Sequence, residues 1–395
     1  MSEKTPLILV ANPGSASRKY GLYRGDAAIA DLHFEWEEGK VICTVQTEHD
    51  VFVEPVGANH LDEVITHVDA MLLRSGALRD GDKIDGIGLR IVAPSSYFLG
   101  DHHLTPSVVE KLRELERVAP LHISIILKEL AALEAEFKGV PVYGISDSGF
   151  HASKPDYAWN YGISLEDADE YEIKRFGYHG LSVQSAIHHL KRHDKLANKI
   201  VLAHLGSGAS VTALHGGKSL DNTMGYSPLE GLVMATRSGT IDYGAARALQ
   251  LSKGFDNEEM EVYLNREAGL KGIGGSPDIR ELRIREQNGD DRARLALATF
   301  VYSVQKGIAQ MTAALGGIDA LVFTGTVGER SAVIRERIVN RLHYLDLILD
   351  HKTNTACIDP LGLEVVSSLA TSKPIYVVHA DEAAEIAKQV AALLK

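Results

Sequence analysis

The sequence predicts an α/β protein built from two duplicated domains, and three observations carry that expectation. Apolar runs of strand length alternate with amphipathic stretches of helix length in both halves, with no linker or low-complexity segment between them. The length of 395 residues exceeds what one core ordinarily holds. The run Leu9-Val10-Ala11-Asn12-Pro13-Gly14-Ser15-Ala16-Ser17 parallels Leu202-Ala203-His204-Leu205-Gly206-Ser207-Gly208-Ala209-Ser210 in apolar run, small-residue turn and closing Ala-Ser, within one residue of offset. The first domain is expected to end near residue 150.

In chain order, Leu7–Ala11 reads as a buried strand, 12–17 as a turn and Lys19–Tyr23 as the returning strand. Residues 28–55 alternate apolar and polar as further strands of the same sheet. Asp85–Val92 is another buried strand, interrupted by Arg90, a charge that is either paired or aimed into a site. Thr105 as N-cap and Pro106 in the first turn open a helix with Val109, Leu112 and Leu115 at helical spacing. Ala119-Pro120-Leu121-His122 breaks it, and Ile125–Phe137 forms the next helix. Val140–Ile145 is a strand that delivers Asp147 just past its carboxyl end, a common place for a catalytic or metal-binding carboxylate.

In the second half a helix follows Lys174-Arg175-Phe176-Gly177-Tyr178-His179-Gly180 and runs to about Lys195. His189 and His193 on it have metal-ligand spacing, but no third ligand is evident and a solvated helix face is the preferred reading. Ile200–Ala203 and Val211–Leu214 flank the tip Gly206-Ser207-Gly208. A glycine tip lets the main chain approach an anion and cradle a phosphate. Thr236-Arg237-Ser238-Gly239 then supplies a guanidinium. Helices follow at about 243–253 and 257–267, a loop at 272–280, and a long helix at about 290–315 with Leu295, Phe300, Val304 and Ile308 on one stripe. The strand 319–323 enters a glycine-bearing loop, Thr324–Ser331. A strand at 374–378 precedes His379-Ala380-Asp381-Glu382, which caps a final helix rich in acidic residues at its start.

Bulk properties narrow the function. The chain is 45% hydrophobic and 24% charged, with a formal net charge of −12, which argues against a general nucleic-acid or anionic-membrane binder. A phosphate must then be held by local arginines and loops. Cys43 and Cys357 offer neither a disulfide framework nor zinc spacing and fit a reducing cytoplasm. The apolar run after the start is too short for a signal peptide, and no segment is long enough to span a membrane.

With those residues in place, the chain resembles the acetokinase family of the sugar kinase, actin and heat-shock chaperone superfamily, nearly end to end. The most specific pieces are the stretch from Asp221 to Asp242, DNTMGYSPLEGLVMATRSGTID, and KRFGYHGLS, with APLH, SDSGFH and HLGSGAS beside them. The resemblance implies two actin-like, ribonuclease H-like domains with an interdomain cleft, the first covering 1–150 and completed by a C-terminal helix at about 383–395, the second covering 151–382. It also implies a homodimer and reversible phosphoryl transfer from ATP to a short-chain carboxylate, giving acyl phosphate and ADP, dependent on Mg²⁺ with Mn²⁺ as a substitute. By matching position, Asn12, Asp147 and Glu382 correspond to metal and catalytic residues. Arg90 and Arg237 correspond to the pair that grips carboxylate and phosphoryl, and His122 and His179 to the phosphoryl-stabilising histidines. Val92, Leu121, Tyr178 and Pro228 match the pocket around the alkyl group. The nucleotide-contacting set is Ser15, Ser17, Lys19, His204, Gly206, Ser207, Gly208, Asp278, Arg280, Gly325, Thr326, Gly328 and Arg330. Such chemistry requires positioning and charge neutralisation rather than a general base, because a carboxylate acceptor is already ionised at neutral pH.

The chain also departs from the family pattern. Leu89 and Ala93-Pro94-Ser95-Ser96 stand where histidines and glycines are usual, Ser207 and Arg330 where asparagine is, Thr326 where glycine is, Tyr178 where phenylalanine is and Ala383 where glutamate is. Thr326 and Arg330 leave open another donor, such as pyrophosphate or GTP. Tyr178 and the 93–96 loop leave open propionate, butyrate or a hydroxy acid. A silent nucleotide-binding regulator is a further alternative, opposed by the retention of all six charged or amide site residues. A serine hydrolase using Ser148 and His151 lacks a nucleophile elbow, and no P-loop occurs.

Overall fold

The computed structural model describes residues 5–14, 17–25, 27–37, 39–58, 60–79, 81–368 and 371–395. They form two compact units, Met1–Gly149 with Asp381–Lys395, and Phe150–Ala380.

The first unit opens with β1 (Leu7–Pro13), β2 (Ser17–Arg24), β3 (Ala27–Glu37), β4 (Lys40–Thr47) and β5 (Val51–Val56), followed by α1 (Ile65–Arg74), β6 (Gly86–Ile91) and β7 (His102–His103). Next come α2 (Pro106–Glu114), α3 (Pro120–Glu136) and β8 (Val142–Ser146). The eight strands pair in the order β5-β4-β3-β2-β1-β6-β8-β7. The hairpin strands are antiparallel, whereas β1, β6 and β8 run parallel. Alternating positions on β3 and β4, such as Leu32, Phe34, Val41 and Cys43, face one core together with Val68, Leu72, Ile126 and Leu130 from the helices.

The second unit carries α4 (Asp156–Trp159), α5 (Leu165–Glu170), α6 (Gly180–Arg192), β9 (Lys199–Leu205), β10 (Ala209–His215) and β11 (Lys218–Asn222). It continues with α7 (Tyr243–Lys253), α8 (Asn257–Val262), α9 (Gly269–Gly274), α10 (Ile279–Gln287) and α11 (Asp291–Leu315). Then follow β12 (Ala320–Thr324), α12 (Gly325–Arg330), α13 (Ala332–Val339), α14 (His351–Ala356), β13 (Leu363–Val365) and β14 (Ile375–Val378). Its sheet has the order β11-β10-β9-β12-β14-β13. That order repeats β3-β2-β1-β6-β8-β7: three antiparallel strands, two parallel additions, then an antiparallel edge. The duplication suggested by two short turns therefore extends over whole sheets. The last helix, α15 (Glu382–Leu393), packs on β1 and β6 of the first unit.

Several local expectations need correction. α3 begins at Pro120 rather than Ile125, because a proline at the first helical position lacks only an N–H that would be unpaired anyway. Leu121 and His122 are thus in its first turn. α6 ends at Arg192, so the His189/His193 pair straddles a helix end. Leu295 is exposed; the buried stripe of α11 runs through Ala293, Ala296, Leu297, Phe300, Val304 and Ile308. Five residues advance a helix by about 500°, so Leu295 and Phe300 point apart. The stretch after β12 is helical from Gly325, and only 275–278 remain irregular between α9 and α10. Thr105 precedes α2 without a capping side-chain bond, its hydroxyl lying 3.1 Å from that of Ser107.

Candidate active site

In the first unit, parallel strands bring their carboxyl ends to one place. Asn12 is near the end of β1, Arg90 near the end of β6, and Asp147 directly after β8. Arg90 donates from Nε to Asp147 Oδ1 at 3.0 Å, while its Nη2 lies 3.0 Å from Oδ2, the two-pronged geometry a guanidinium makes with a carboxylate. Its Nη1 donates to Asn12 Oδ1 at 3.3 Å and lies 3.7 Å from Glu382 Oε2. Asn12 Nδ2 in turn donates to Glu382 Oε2 at 3.1 Å. Burial opposes the Arg90 charge, but Asp147 and Glu382 outweigh it and hold the guanidinium above its ordinary range. Glu382 reaches this cluster because α15 starts here, with Asp381 accepting the Ala384 N–H as its N-cap at 2.8 Å.

Val92 follows β6 by one residue and is half-buried, as are Leu121 and His122 in the first turn of α3. Lys19 pairs in register with Asn12 across the hairpin and is exposed; Ser17 opens β2. Ser15 lies outside the described residues.

The second unit gathers another set around the β9–β10 tip. His179 caps α6 in the left-handed region, φ 61°, a conformation costly for any residue with a Cβ and found where a site over-determines it. Its Nδ1 is 2.9 Å from Ser210 Oγ, and its ring stacks on His204 at 4.1 Å between centroids. His204 Nδ1 is 2.7 Å from Ser182 Oγ. A Cβ at Gly208 would sit 3.1 Å from His179 Nε2 and 3.5 Å from Arg237 Nη1, so both donors converge on this glycine. Arg237 also donates to the Pro228 carbonyl at 3.3 Å. The backbone flanking it is tied to a π-helical turn at Tyr263–Glu267 and to α9: Ser238 N donates to Leu264 O at 3.0 Å, and Met234 O accepts from Leu270 N at 2.9 Å. Such π turns recur at functional sites.

Tyr178 is buried, and its hydroxyl donates to the Tyr226 carbonyl at 2.6 Å. The hydroxyl expected to enlarge the polarity of an acyl pocket instead ties down the segment that carries Pro228, which is itself buried. Ser207 is exposed at the tip, and Gly206 N donates to Gly208 O at 2.9 Å.

Gly325 has φ 78°, and a Cβ there would lie 2.8 Å from the Leu205 carbonyl, which brings the start of α12 against the strand that leads to the tip. Only glycine satisfies both demands. Gly328 is buried, whereas Thr326 and Arg330 are exposed. Arg330 Nη2 pairs with Asp359 Oδ2 at 2.8 Å. Asp278 caps α10 and holds Arg280, Nη2 to Oδ2 at 2.6 Å, with the arginine in solvent.

Sequence reasoning missed two residues here. Glu329 is buried and accepts the Gly325 N–H at 2.8 Å, with His379 Nδ1 2.9 Å from its other oxygen. Burial works to raise this carboxyl, but His379 and the Ala380 and Gly325 amides outweigh it and hold it below the usual range. Glu329, Asp359 and His379 bring potential ligand atoms within 4.8 Å; Asp359 is engaged by Arg330, and Glu329 by His379 and the Gly325 amide. Arg335 is fully buried and donates to the Gly328, Glu329, Asn354 and Cys357 carbonyls. Charged residues within short helices read as solvent-facing, and nothing in the sequence pattern separates these two from their neighbours.

The comparisons with known proteins accord with this geometry. Residues 7–388 match the Acetokinase family. The acetate kinase of Syntrophobacter fumaroxidans is 38% identical over 407 residues, spanning 97% of this chain and 95% of that protein. The crystal structure of Porphyromonas gingivalis acetate kinase superposes with a TM-score of 0.84 at 29% identity, covering 99% of this chain and 100% of that one. A propionate kinase from Francisella tularensis gives 0.87 at 30% identity, covering 97% and 98%. A match of this extent, with two sheets of the same strand order, makes the units actin-like domains and the chain a member of the acetokinase family.

Proposed function

We propose that this protein transfers the γ-phosphoryl group of ATP to acetate, reversibly, giving acetyl phosphate and ADP. The observation that carries this reading is the convergence of His179 and Arg237 on Gly208 at a glycine tip, an arrangement of donors suited to a phosphoryl group. The acceptor carboxylate arrives ionised, so the residues have no proton to remove. Arg237 and Arg90 neutralise charge on acceptor and phosphoryl group, and His179, fixed by Ser210 and His204, donates to the phosphoryl oxygens. Gly206–Gly208, His204, Gly325 and the start of α12 form the nucleotide side, with Asp278 and Arg280 toward the nucleoside. Val92, Leu121, Tyr178 and Pro228 supply apolar surface for the methyl group, and His122 a second donor.

Asn12, Asp147 and Glu382 fit a hard divalent cation: all offer oxygen, and two carboxylates against one guanidinium leave excess negative charge. Mg²⁺ or Mn²⁺ held there would neutralise charge on phosphate oxygens. The two cysteines are free and buried, which suits the cytoplasm. A homodimer belongs to the same reading: α7 has no buried residue, and Ile241, Tyr243 and Leu251 are exposed, as expected of a face that a second copy covers.

The test is hydroxamate trapping of acyl phosphate with Mg²⁺, crossing ATP, GTP and pyrophosphate with acetate, propionate, butyrate and hydroxy acids. ATP with acetate is expected to be the preferred pair; preference for any other pair overturns the assignment. Arg237→Ala should lower kcat/KM by about a thousandfold with an unchanged circular dichroism spectrum. An active variant would remove Arg237 from the site.

A further inference from the structure

Between the donors His179 and Arg237 runs a chain of polar side chains that the phosphoryl-transfer reading leaves unused. Glu230 lies two residues after Pro228, whose carbonyl accepts from Arg237 at 3.3 Å. One oxygen of its carboxylate accepts from Arg175 Nη1 and the other from the Tyr161 hydroxyl. Tyr161 Oη in turn accepts the Tyr226 N–H at 2.8 Å, and Arg175 Nη2 reaches the Asn222 carbonyl at 3.4 Å. Arg175 stands four residues before His179, on the stretch that enters α6. Its own backbone is braced on both sides: its N–H donates to Trp159 O at 2.7 Å, and its carbonyl accepts from the buried Lys154 Nζ.

The side chains of Arg175 and Glu230 are 18% and 25% exposed, between a solvated bridge and a fully desolvated one. Ion pairs of either kind add little net stability, because screening or desolvation offsets the attraction. What this carboxylate fixes is relative position. Through it the 225–230 segment, which holds Arg237, is tied to the 175–179 stretch, which holds His179. Tyr178 Oη donating to Tyr226 O at 2.6 Å and Gly177 N donating to Gly225 O at 3.3 Å close the same seam. A Cβ at Gly225 would collide with the Glu230 carboxylate and the Tyr161 hydroxyl, so the backbone passes directly against both. Next to Glu230, Gly231 N donates to Thr240 Oγ1 at 3.0 Å, three residues past Arg237. Both donors at the end of this seam converge on Gly208, so a shift along it alters their separation.

We propose that Glu230, gripping Arg175 and Tyr161, is a positioning residue that sets Arg237 against His179 through the Pro228 carbonyl. This rests on the phosphoryl-transfer reading but concerns a carboxylate that acts only through another side chain. Steady-state kinetics, with rates referred to the folded fraction by circular dichroism, separate the possibilities. Donors that act mostly in the transition state lower kcat when misplaced and leave substrate binding nearly intact. Glu230→Gln, which keeps the shape and loses the charge, should therefore lower kcat about tenfold, and Glu230→Ala about a hundredfold, with KM for ATP and acetate within about threefold.

Arg237→Ala supplies the background that tells positioning from mere structure. With no guanidinium left to misplace, Glu230→Gln should there cost less than about twofold in kcat. A loss as large as in the wild type would mean a general structural effect, and the proposal falls. Glu230→Gln alone also leaves Arg175 without its counter-charge, so Arg175→Met/Glu230→Gln removes both charges and keeps an acceptor for Tyr161. This folded double variant should stay about tenfold slow. A wild-type kcat in it, or raised KM with unchanged kcat in the single variants, sinks the proposal too. A wild-type protein that forms no acyl phosphate would overturn the functional reading and this proposal together.

Discussion

Gly208 acts through what it lacks. Its backbone needs no positive φ, yet an added methyl group would press on His179 and lie in contact with Arg237. Gly208→Ala should therefore leave the melting temperature within a degree or two and lower kcat/KM by about a hundredfold; a normal rate would show that the donors do not converge there in solution. Arg330 tests the nucleotide side. Paired with Asp359 on the surface of α12, it should alter KM for the nucleotide more than KM for acetate when replaced by Asn, as measured with each substrate varied in turn. At this scale the sequence was informative where a residue broke its context: Arg90 in an apolar strand, Asp147 after one, and glycines at a tip. Glu329 and Arg335 break no pattern, since an isolated charge on a helix ordinarily faces water.

Elements place those residues, and the tightest placement is that of α15 on β6. A Cβ at Gly88 would lie 2.9 Å from Val390 and collide with Ile386, so helix and strand meet closely there. Gly88→Ala should cost about 1–3 kcal/mol through overpacking. Because Glu382 rides on the first turn of the displaced helix, activity should fall at temperatures where the variant is still folded; thermal denaturation and kinetics read the two effects separately. Strand identity was largely legible from apolar runs and turn residues. Helix limits were less so: Pro120 reads equally as a breaker and as a helix start, and Gly325 as a loop residue and as the hinge into a helix. Tertiary contacts decide such cases, here the Leu205 carbonyl against Gly325.

Over the whole molecule, one buried charge sets a pH signature. Burial draws the Lys154 ammonium down to about 8, opposed by Asp221 and Glu230, with its Nζ donating to the Arg175 carbonyl. Below that pH both folded and unfolded chains hold the proton and the fold bears the cost of the buried charge. Between about 8 and the ordinary 10.5 the unfolded chain holds a proton that the fold has released, so this residue's contribution to stability rises with pH, by up to about 3 kcal/mol. Denaturant titrations at pH 7.5 and 10 should show that gain in the wild type relative to Lys154→Met; equal differences at both pH values would refute it. Sedimentation should give twice the 42.9 kDa chain mass, and Leu251→Glu should shift it toward the single chain; a wild-type monomer would leave α7 uncovered. Two sheets of one strand order were legible only as two short turns, because sheet order is a property of pairing rather than of any local run. The return of α15 to the first unit has a consequence for synthesis. Phe150–Ala380 is continuous and can close as soon as it leaves the ribosome, whereas the earlier-made sheet waits for α15, which follows the whole second unit, to cover β1 and β6. The carboxylate of Glu382 arrives with that same helix, so the cluster around Arg90 is completed only after the whole of the second unit has been made.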